Sequence, residues 1–384
     1  MLSSPTSTAP SGLENSFLTN KNSPNMDNKL LNIAQRFVLE GTIADIRALG
    51  DGFINDTFIV KTEGEAPDYI LQRKNHIVFP DVPAMMENIS KVTEHIKAKV
   101  ENPLRDTLTV IPTTDGALYH KDEEGNFWAV CTFIPNTTTY DRADSTALAY
   151  QGGKGIGRFQ AQLADFTEPL AEVIKGFHNM RYRFEQWDEA VRADKAGRVA
   201  SLAEEIGWIE SRREEMLGFW ALVENGTIPT RVTHNDTKIS NILFDADTKE
   251  VLCAIDLDTV MSSTSLNDVG DALRSYTNTG AEDDPDLEKV SMSLDMFRAY
   301  IEGYLSERAA TLSESEWEWL AFSGRFITFE QVLRFLMDYI DGDTYYKTKY
   351  ADHNLVRTRA QYKLLQSMEA QYDQMVDIVK ALRG

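Results

Sequence analysis

An aspartate five residues ahead of an asparagine, followed by an apolar run that ends in a second acidic cluster, constrains this chain more than any other feature. The stretch reads Arg231-Val232-Thr233-His234-Asn235-Asp236-Thr237-Lys238-Ile239-Ser240-Asn241-Ile242-Leu243-Phe244, then Val251-Leu252-Cys253-Ala254-Ile255, then Asp256-Leu257-Asp258-Thr259. Apolar flanks around a polar loop predict a loop feeding a hairpin, with carboxylates at both of its ends. Phosphoryl transfer needs these groups. One carboxylate orients an attacking hydroxyl and accepts its proton, while an amide oxygen and another carboxylate hold the magnesium that neutralises phosphate oxygens. On this reading Asp236 is the base, and Asn241 and Asp256 are metal ligands. The competing reading is a loop of capping Asn and Asp residues between two strands, and the full spacing favours the first.

The spacing His-x-Asp-x-x-x-x-Asn before an apolar strand ending in Asp is the catalytic-loop pattern of protein-kinase-like enzymes. It predicts an α+β, two-lobe fold with a small β-rich N-lobe and a large, mostly helical C-lobe. The flanking sequence agrees. A helix is expected from Asp27 or Asn28 through Val38, stopping at Gly41. Strands are expected at Thr42–Ala48, Thr57–Thr62 and Tyr69–Arg73, then a helix opened by Pro83 and running to Lys99. Further strands, Ala117–His120 and Phe127–Phe133, precede a hinge at Pro135–Thr139. Residues 144–225 and 286–384 favour helix. The expected division is a disordered tail at 1–26, a nucleotide-binding lobe at 27–134 and a catalytic and substrate-binding lobe at 135–384.

The 384 residues carry 39 Lys and Arg against 60 Asp and Glu, a formal charge of −21. That field disfavours nucleic acid and anionic membrane surfaces, which bind by phosphate neutralisation. No segment approaches the roughly 20 apolar residues that cross a bilayer, and the Ser-, Thr- and Pro-rich start is no secretory signal. A cytoplasmic protein with Cys131 and Cys253 as buried thiols is expected.

On the nucleotide side, Gly50-Asp51-Gly52-Phe53-Ile54-Asn55-Asp56-Thr57 joins two strand candidates, and its backbone N–H groups could lie over phosphates, although such a turn also serves as a plain hairpin. A richer glycine run, Gly153-Lys154-Gly155-Ile156-Gly157, sits within helical periodicity and is read as close helix packing. Protein kinases carry a lysine on the third strand; here Gln72 stands there. Alternation puts Gln72 and Lys74 on one face and Arg73 on the other. Either the neutral Gln72 does part of the work or a cation from elsewhere does. Glu87 and Glu94 lie on the following helix, without an assigned partner.

With these motifs, the chain resembles the bacterial N-acetylhexosamine 1-kinases, a branch of the phosphotransferases with the aminoglycoside-kinase and choline-kinase fold. The resemblance runs from about Asn28 to Lys380 and is carried by Gly50–Asn55, Tyr69–Gln72, Val232–Lys238, Ile255–Thr259 and His353–Arg359. It implies transfer of the ATP γ-phosphoryl group to the anomeric hydroxyl of N-acetylglucosamine or N-acetylgalactosamine, with magnesium required. It also implies that Gly50, Gly52, Asn55, Thr57 and Gln72 serve the nucleotide. The sulfatase label such proteins sometimes carry has no support, because no Cys-x-Pro-x-Arg motif is present.

Candidates for the acceptor pocket are His178 and Arg183, within the aromatic and basic segment Phe177–Phe184, and Asp258, two residues past the metal ligand. Arg334, Tyr345 and Arg357 complete the set. Arg334 interrupts an apolar helix and needs an anion, either Asp338 one turn on or a phosphate or substrate group. Asp268 is expected to tie down the catalytic loop, and Asp271 to pair with Arg274. Two other functions stay open: a kinase of the same fold acting on choline, homoserine or an aminoglycoside, and a nucleotide-binding pseudokinase, for which Gln72 is the only support.

Overall fold

The computed structural model describes residues 28–50 and 54–384. Gly52, the Asp27 cap and the tail 1–26 lie outside them. The chain opens with helix α1 (Asn28–Ala34), then strands β1 (Ile43–Ala48), β2 (Asp56–Thr62) and β3 (Tyr69–Lys74). Helix α2 (Val82–Lys97) follows, then β4 (Val110–Ile111), β5 (His120–Lys121) and β6 (Phe127–Thr132). The strands form one antiparallel sheet in the order β1-β2-β3-β6-β4, with β5 also on β6. Alternation works as expected along β3, where Tyr69 and Leu71 turn inward against Ile46, Val60, Trp128 and Val130.

Two expectations shift here. Helix α1 ends at Ala34, not at Val38, because Phe37 turns in to a buried position and bridges to Thr113. Gly41 is therefore not its cap. It makes the turn into β1 at φ +82°, where a side chain would strike Ala66. The expected strand at 117–120 is reduced to His120–Lys121.

Helix α2 starts at the Asp81 cap with Pro83 in its first turn. Its apolar face (Met86, Ile89, Val92, Ile96) packs into the large C-terminal core, not into the small core of the sheet. Asn88, on the same helix, donates to the carbonyls of Ala171 and Val260 at 2.8 and 3.0 Å. The expected hinge at 135–139 holds a short strand, β7 (Thr137–Thr138), which pairs with the hairpin of β9 (Ile242–Asp245) and β10 (Val251–Ala254). Strand β8 (Arg231–Thr233) pairs with β11 (Met261–Ser263) and frames that hairpin.

The remainder is helical: α3 (Thr146–Gln162), α4 (Met180–Ala193), α5 (Ala203–Glu210), α6 (Arg213–Glu224), α7 (Ser265–Tyr276), α8 (Leu294–Arg308), α9 (Glu314–Asp341), α10 (His353–Ala370) and α11 (Tyr372–Arg383). The glycine run of α3 packs against α8 as expected. A Cβ on Gly153 or Gly157 would meet the carbonyl oxygens of Tyr300 and Tyr304, and one on Gly303 would meet that of Tyr150. Helix α9 opens with a Ser313–Glu316 capping box and runs 28 residues through the core. Cys131 is half-buried and Cys253 buried; both are free, and burial pushes their thiols up to about 11 and 12. Among the described residues no helix is long and apolar enough to cross a membrane.

Candidate active site

The loop between β8 and β9 is suspended from α7. Asp268, fully buried, accepts the backbone N–H groups of His234 and Asn235, and Asp271 accepts that of Thr237 at 2.9 Å. Asp271 is in turn held by Arg274, one turn on, at 3.0 Å. Both tethers follow the expected pattern. Asn235 takes a left-handed conformation, φ +66°, and its side chain donates to the carbonyl of Thr259 at 2.8 Å. This turn presents Asp236 at the surface of the cleft.

One carboxylate oxygen of Asp236 accepts from Lys238 Nζ at 2.8 Å and from Asn241 Nδ2 at 2.9 Å. Burial works against the ionised form, but Lys238 outweighs it and holds Asp236 below the usual carboxylate range. Asn241 spends its amide N–H groups on Asp236, and its side-chain carbonyl oxygen has no donor among the described residues. Lys238 was not singled out from the sequence, although its place two residues after Asp236 was visible there.

Asp256, two residues past β10, takes a left-handed conformation, φ +58°, and its carboxylate accepts no hydrogen bond among the described residues. Burial, with the Asp258 and Asp236 carboxylates nearby, pushes it up to about 6. A carboxylate and an amide oxygen that both lack a hydrogen-bond donor among the described residues are ligands of the kind a hard cation takes. Among the described residues no three His, Cys, Asp or Glu side chains form a metal cage.

Asp258 is buried and does not face the cleft freely. It accepts from Lys74 Nζ and from Asn55 Nδ2, each at 2.7 Å. Asn55 also fixes the Asn75 backbone N–H at 3.0 Å, and Gln72 donates to Thr57 Oγ1 at 3.2 Å. Gly50 is exposed with φ +68°, in the turn leading from β1. The structure thus joins Asn55, Thr57, Gln72 and Asp258 in one network, with Lys74 at its centre. Both helix carboxylates, Glu87 and Glu94, are exposed and take no part in it.

On the other side of Asp236, His178 Nδ1 meets Glu330 at 2.8 Å and Nε2 meets the Asn235 carbonyl at 3.2 Å. Arg183 bonds Glu330 and the Phe177 carbonyl. Arg334 has no hydrogen bond or ion pair among the described residues. Its guanidinium lies 5.3, 5.7 and 5.6 Å from the ring centres of Phe177, Tyr345 and Tyr346. Asp338, one of the two anions the sequence left open for Arg334, is engaged elsewhere, accepting the backbone N–H groups of Thr344, Tyr345 and Tyr346. Tyr345 is exposed, and Arg357 donates to Lys347 O and Asn354 Oδ1.

The chain shares this fold with solved kinases. It is similar to a microcompartment-associated aminopropanol kinase at TM-score 0.60 and 17% identity, over 90% of this chain and 98% of that one. A spectinomycin phosphotransferase in complex with ADP and spectinomycin gives 0.54 and 11%, over 92% and 97%. A choline kinase from Cryptosporidium parvum Iowa II gives 0.52 and 13%, over 94% and 97%. At such identities the likeness is one of fold. Residues 45–309, well over half of the chain and all of the elements from β2 to α8, match one sequence family, and the chain belongs to it: the phosphotransferase enzyme family.

Proposed function

We propose that this member of the phosphotransferase family is an ATP-dependent kinase acting on the anomeric hydroxyl of an N-acetylhexosamine, in the cytoplasm, and giving the sugar 1-phosphate. The observation that carries the acceptor class is Arg334. An unpaired guanidinium among Phe177, Tyr345 and Tyr346 offers N–H donors to a neutral, hydroxyl- and carbonyl-bearing ligand and repels an ammonium. It stands within electrostatic reach of His178 and Arg274, which hold the two sides of the Asp236 loop. Residues 27–134 and 135–384 are taken as the two lobes, with ATP between them.

In this mechanism Asp236 accepts the proton of the attacking hydroxyl, while Asn241 and Lys238 fix its orientation and keep it ionised. Asn241 and Asp256 would hold magnesium, whose charge would neutralise the transferring phosphate oxygens. Positioning of acceptor and nucleotide supplies most of the rate gain.

Phosphorus NMR of the protein with ATP, magnesium and single acceptors tests the reading. N-acetylglucosamine or N-acetylgalactosamine should give a phosphate signal coupled to the anomeric proton. Phosphorylation of choline, aminopropanol or homoserine alone would leave a kinase with a different acceptor, and no product from any acceptor would favour a pseudokinase.

A further inference from the structure

We infer that Lys74 is the phosphate-side cation of the nucleotide site, serving from the last residue of β3 where residue 72 brings only an amide. This rests on the kinase reading above. Alternation along β3 sends Gln72 and Lys74 to the cleft face, while Arg73 points away and pairs with Asp56. The Lys74 side chain is 4% exposed, and a buried ammonium persists only when paired. Its partner comes from the far side of the cleft: Asp258, at 2.7 Å, two residues beyond the candidate metal ligand Asp256.

Lys74 Nζ also donates to Gln72 Oε1 at 2.7 Å, so the ammonium folds back against the Gln72 amide. The positive charge of residue 74 therefore sits where the head of residue 72 lies. An ammonium has three protons. Two are spent on Asp258 and Gln72, and no further acceptor among the described residues takes the third. Since Glu87 and Glu94 on α2 are exposed, no helix carboxylate orients this lysine; Asp258 does so instead, with Asn55 fixing its other oxygen.

Calorimetric titration with ADP and with adenosine, both in EDTA, isolates the phosphate contribution from the metal. Lys74→Met should weaken ADP about 10- to 100-fold, the range for a lost charge-assisted contact, with adenosine held to within about twofold. Since Lys74→Met leaves Asp258 buried and unpaired, the double variant Lys74→Met/Asp258→Asn carries the comparison if the single one does not fold. ADP should stay weak in it. Unchanged ADP affinity, an equal loss for adenosine, or wild-type ADP affinity in the double variant would each overturn the role of Lys74. Wild-type protein that binds no ADP would overturn the nucleotide reading and this inference with it.

Discussion

Asp268 and Asn235 meet at 2.7 Å, carboxylate oxygen to backbone N–H, where the chain turns through φ +66° just ahead of Asp236. The other carboxylate oxygen takes the His234 N–H at 3.0 Å and Gln160 Nε2 at 2.9 Å. A non-glycine residue in the left-handed region costs about 1–2 kcal/mol, and these donors hold it there. The backbone turn that carries the candidate base is thus anchored by α7 and α3, while Lys238 and Asn241 within the loop orient its carboxylate.

Asp268→Asn should therefore disturb catalysis from a distance. The amide has one acceptor oxygen, so an N–H group of the loop faces a donor and is left buried and unsatisfied, at a cost of about 1–3 kcal/mol. Urea unfolding should show that loss, and kcat should fall while ADP affinity changes little. Wild-type kcat would mean that Asp236 needs no such support.

Asp236→Asn should keep the fold and lose turnover by about 10²- to 10⁴-fold, the usual share of a positioned general base. The substitution preserves volume and an acceptor for Asn241. Single-turnover kinetics alongside a melting curve would check it. Wild-type-like turnover would remove Asp236 from its role.

Local patterns in the sequence carried the loop between β8 and β9, the long strands β1, β2, β3 and β6 and the glycine face of α3. Each depends on spacing within one segment, as in Asp236 to Asn241 or Gly153 to Gly157. What escaped was decided by partners far away in the chain. Lys74 finds Asp258 across 184 positions, and nothing local marks that pairing. For Arg334 the sequence left two anions open, Asp338 one turn on and a phosphate or substrate group; Asp338 turns instead to three N–H groups of the following loop. Strands β4 and β7 are two residues long, too short to show a period.

His178 gives the acceptor side a pH dependence. Its two partners, the Glu330 carboxylate and the Asn235 carbonyl, are both acceptors, so both ring nitrogens must donate and the ring must be an imidazolium. Burial opposes that charge; Glu330 outweighs it and raises the His178 pKa above 6.5. A raised histidine contributes stability that is complete below 6.5 and is lost as pH rises through the folded value. Burial also opposes the Glu330 charge, yet His178 and Arg183 lower it from 4.5 to about 2, so its share is complete above 4.5 and fades toward pH 2. Wild-type protein should lose stability in urea as pH rises above 6.5, and His178→Gln should show a flatter alkaline limb. Parallel limbs would count against a charged His178.

The contact of α3 with α8 should tolerate no added methyl. Gly303 lies against the Tyr150 carbonyl and Gly153 against that of Tyr300, with backbone on both sides and no flexible side chain to yield. Gly303→Ala should cost about 3 kcal/mol or more, at the upper end for overpacked sites. Gly218→Ala, where the added atom meets open space, should be neutral or slightly stabilising. Differential scanning calorimetry of the two variants compares them directly, and equal midpoints would contradict the packing argument.

Asp338 should set acceptor affinity without touching the acceptor. One oxygen accepts the Thr344 and Tyr345 N–H groups at 2.9 and 2.8 Å; the other accepts the Tyr346 N–H at 3.0 Å and Asn354 Nδ2 at 2.8 Å. Four donors on one buried carboxylate pin the loop that lays Tyr345 and Tyr346 beside Arg334. Asp338→Asn replaces an acceptor with a donor facing those N–H groups, and the loop must shift to relieve the clash. The network of Asn55, Gln72, Lys74 and Asp258 shares no hydrogen bond with this loop, so nucleotide binding should be spared. On the proposed reaction, KM for the N-acetylhexosamine should rise about tenfold or more, equivalent to about 1.4 kcal/mol, with KM for ATP and kcat at saturating acceptor near wild type. A matching rise in both KM values would make Asp338 a general prop of the fold, and an unchanged acceptor KM would place the sugar away from this loop.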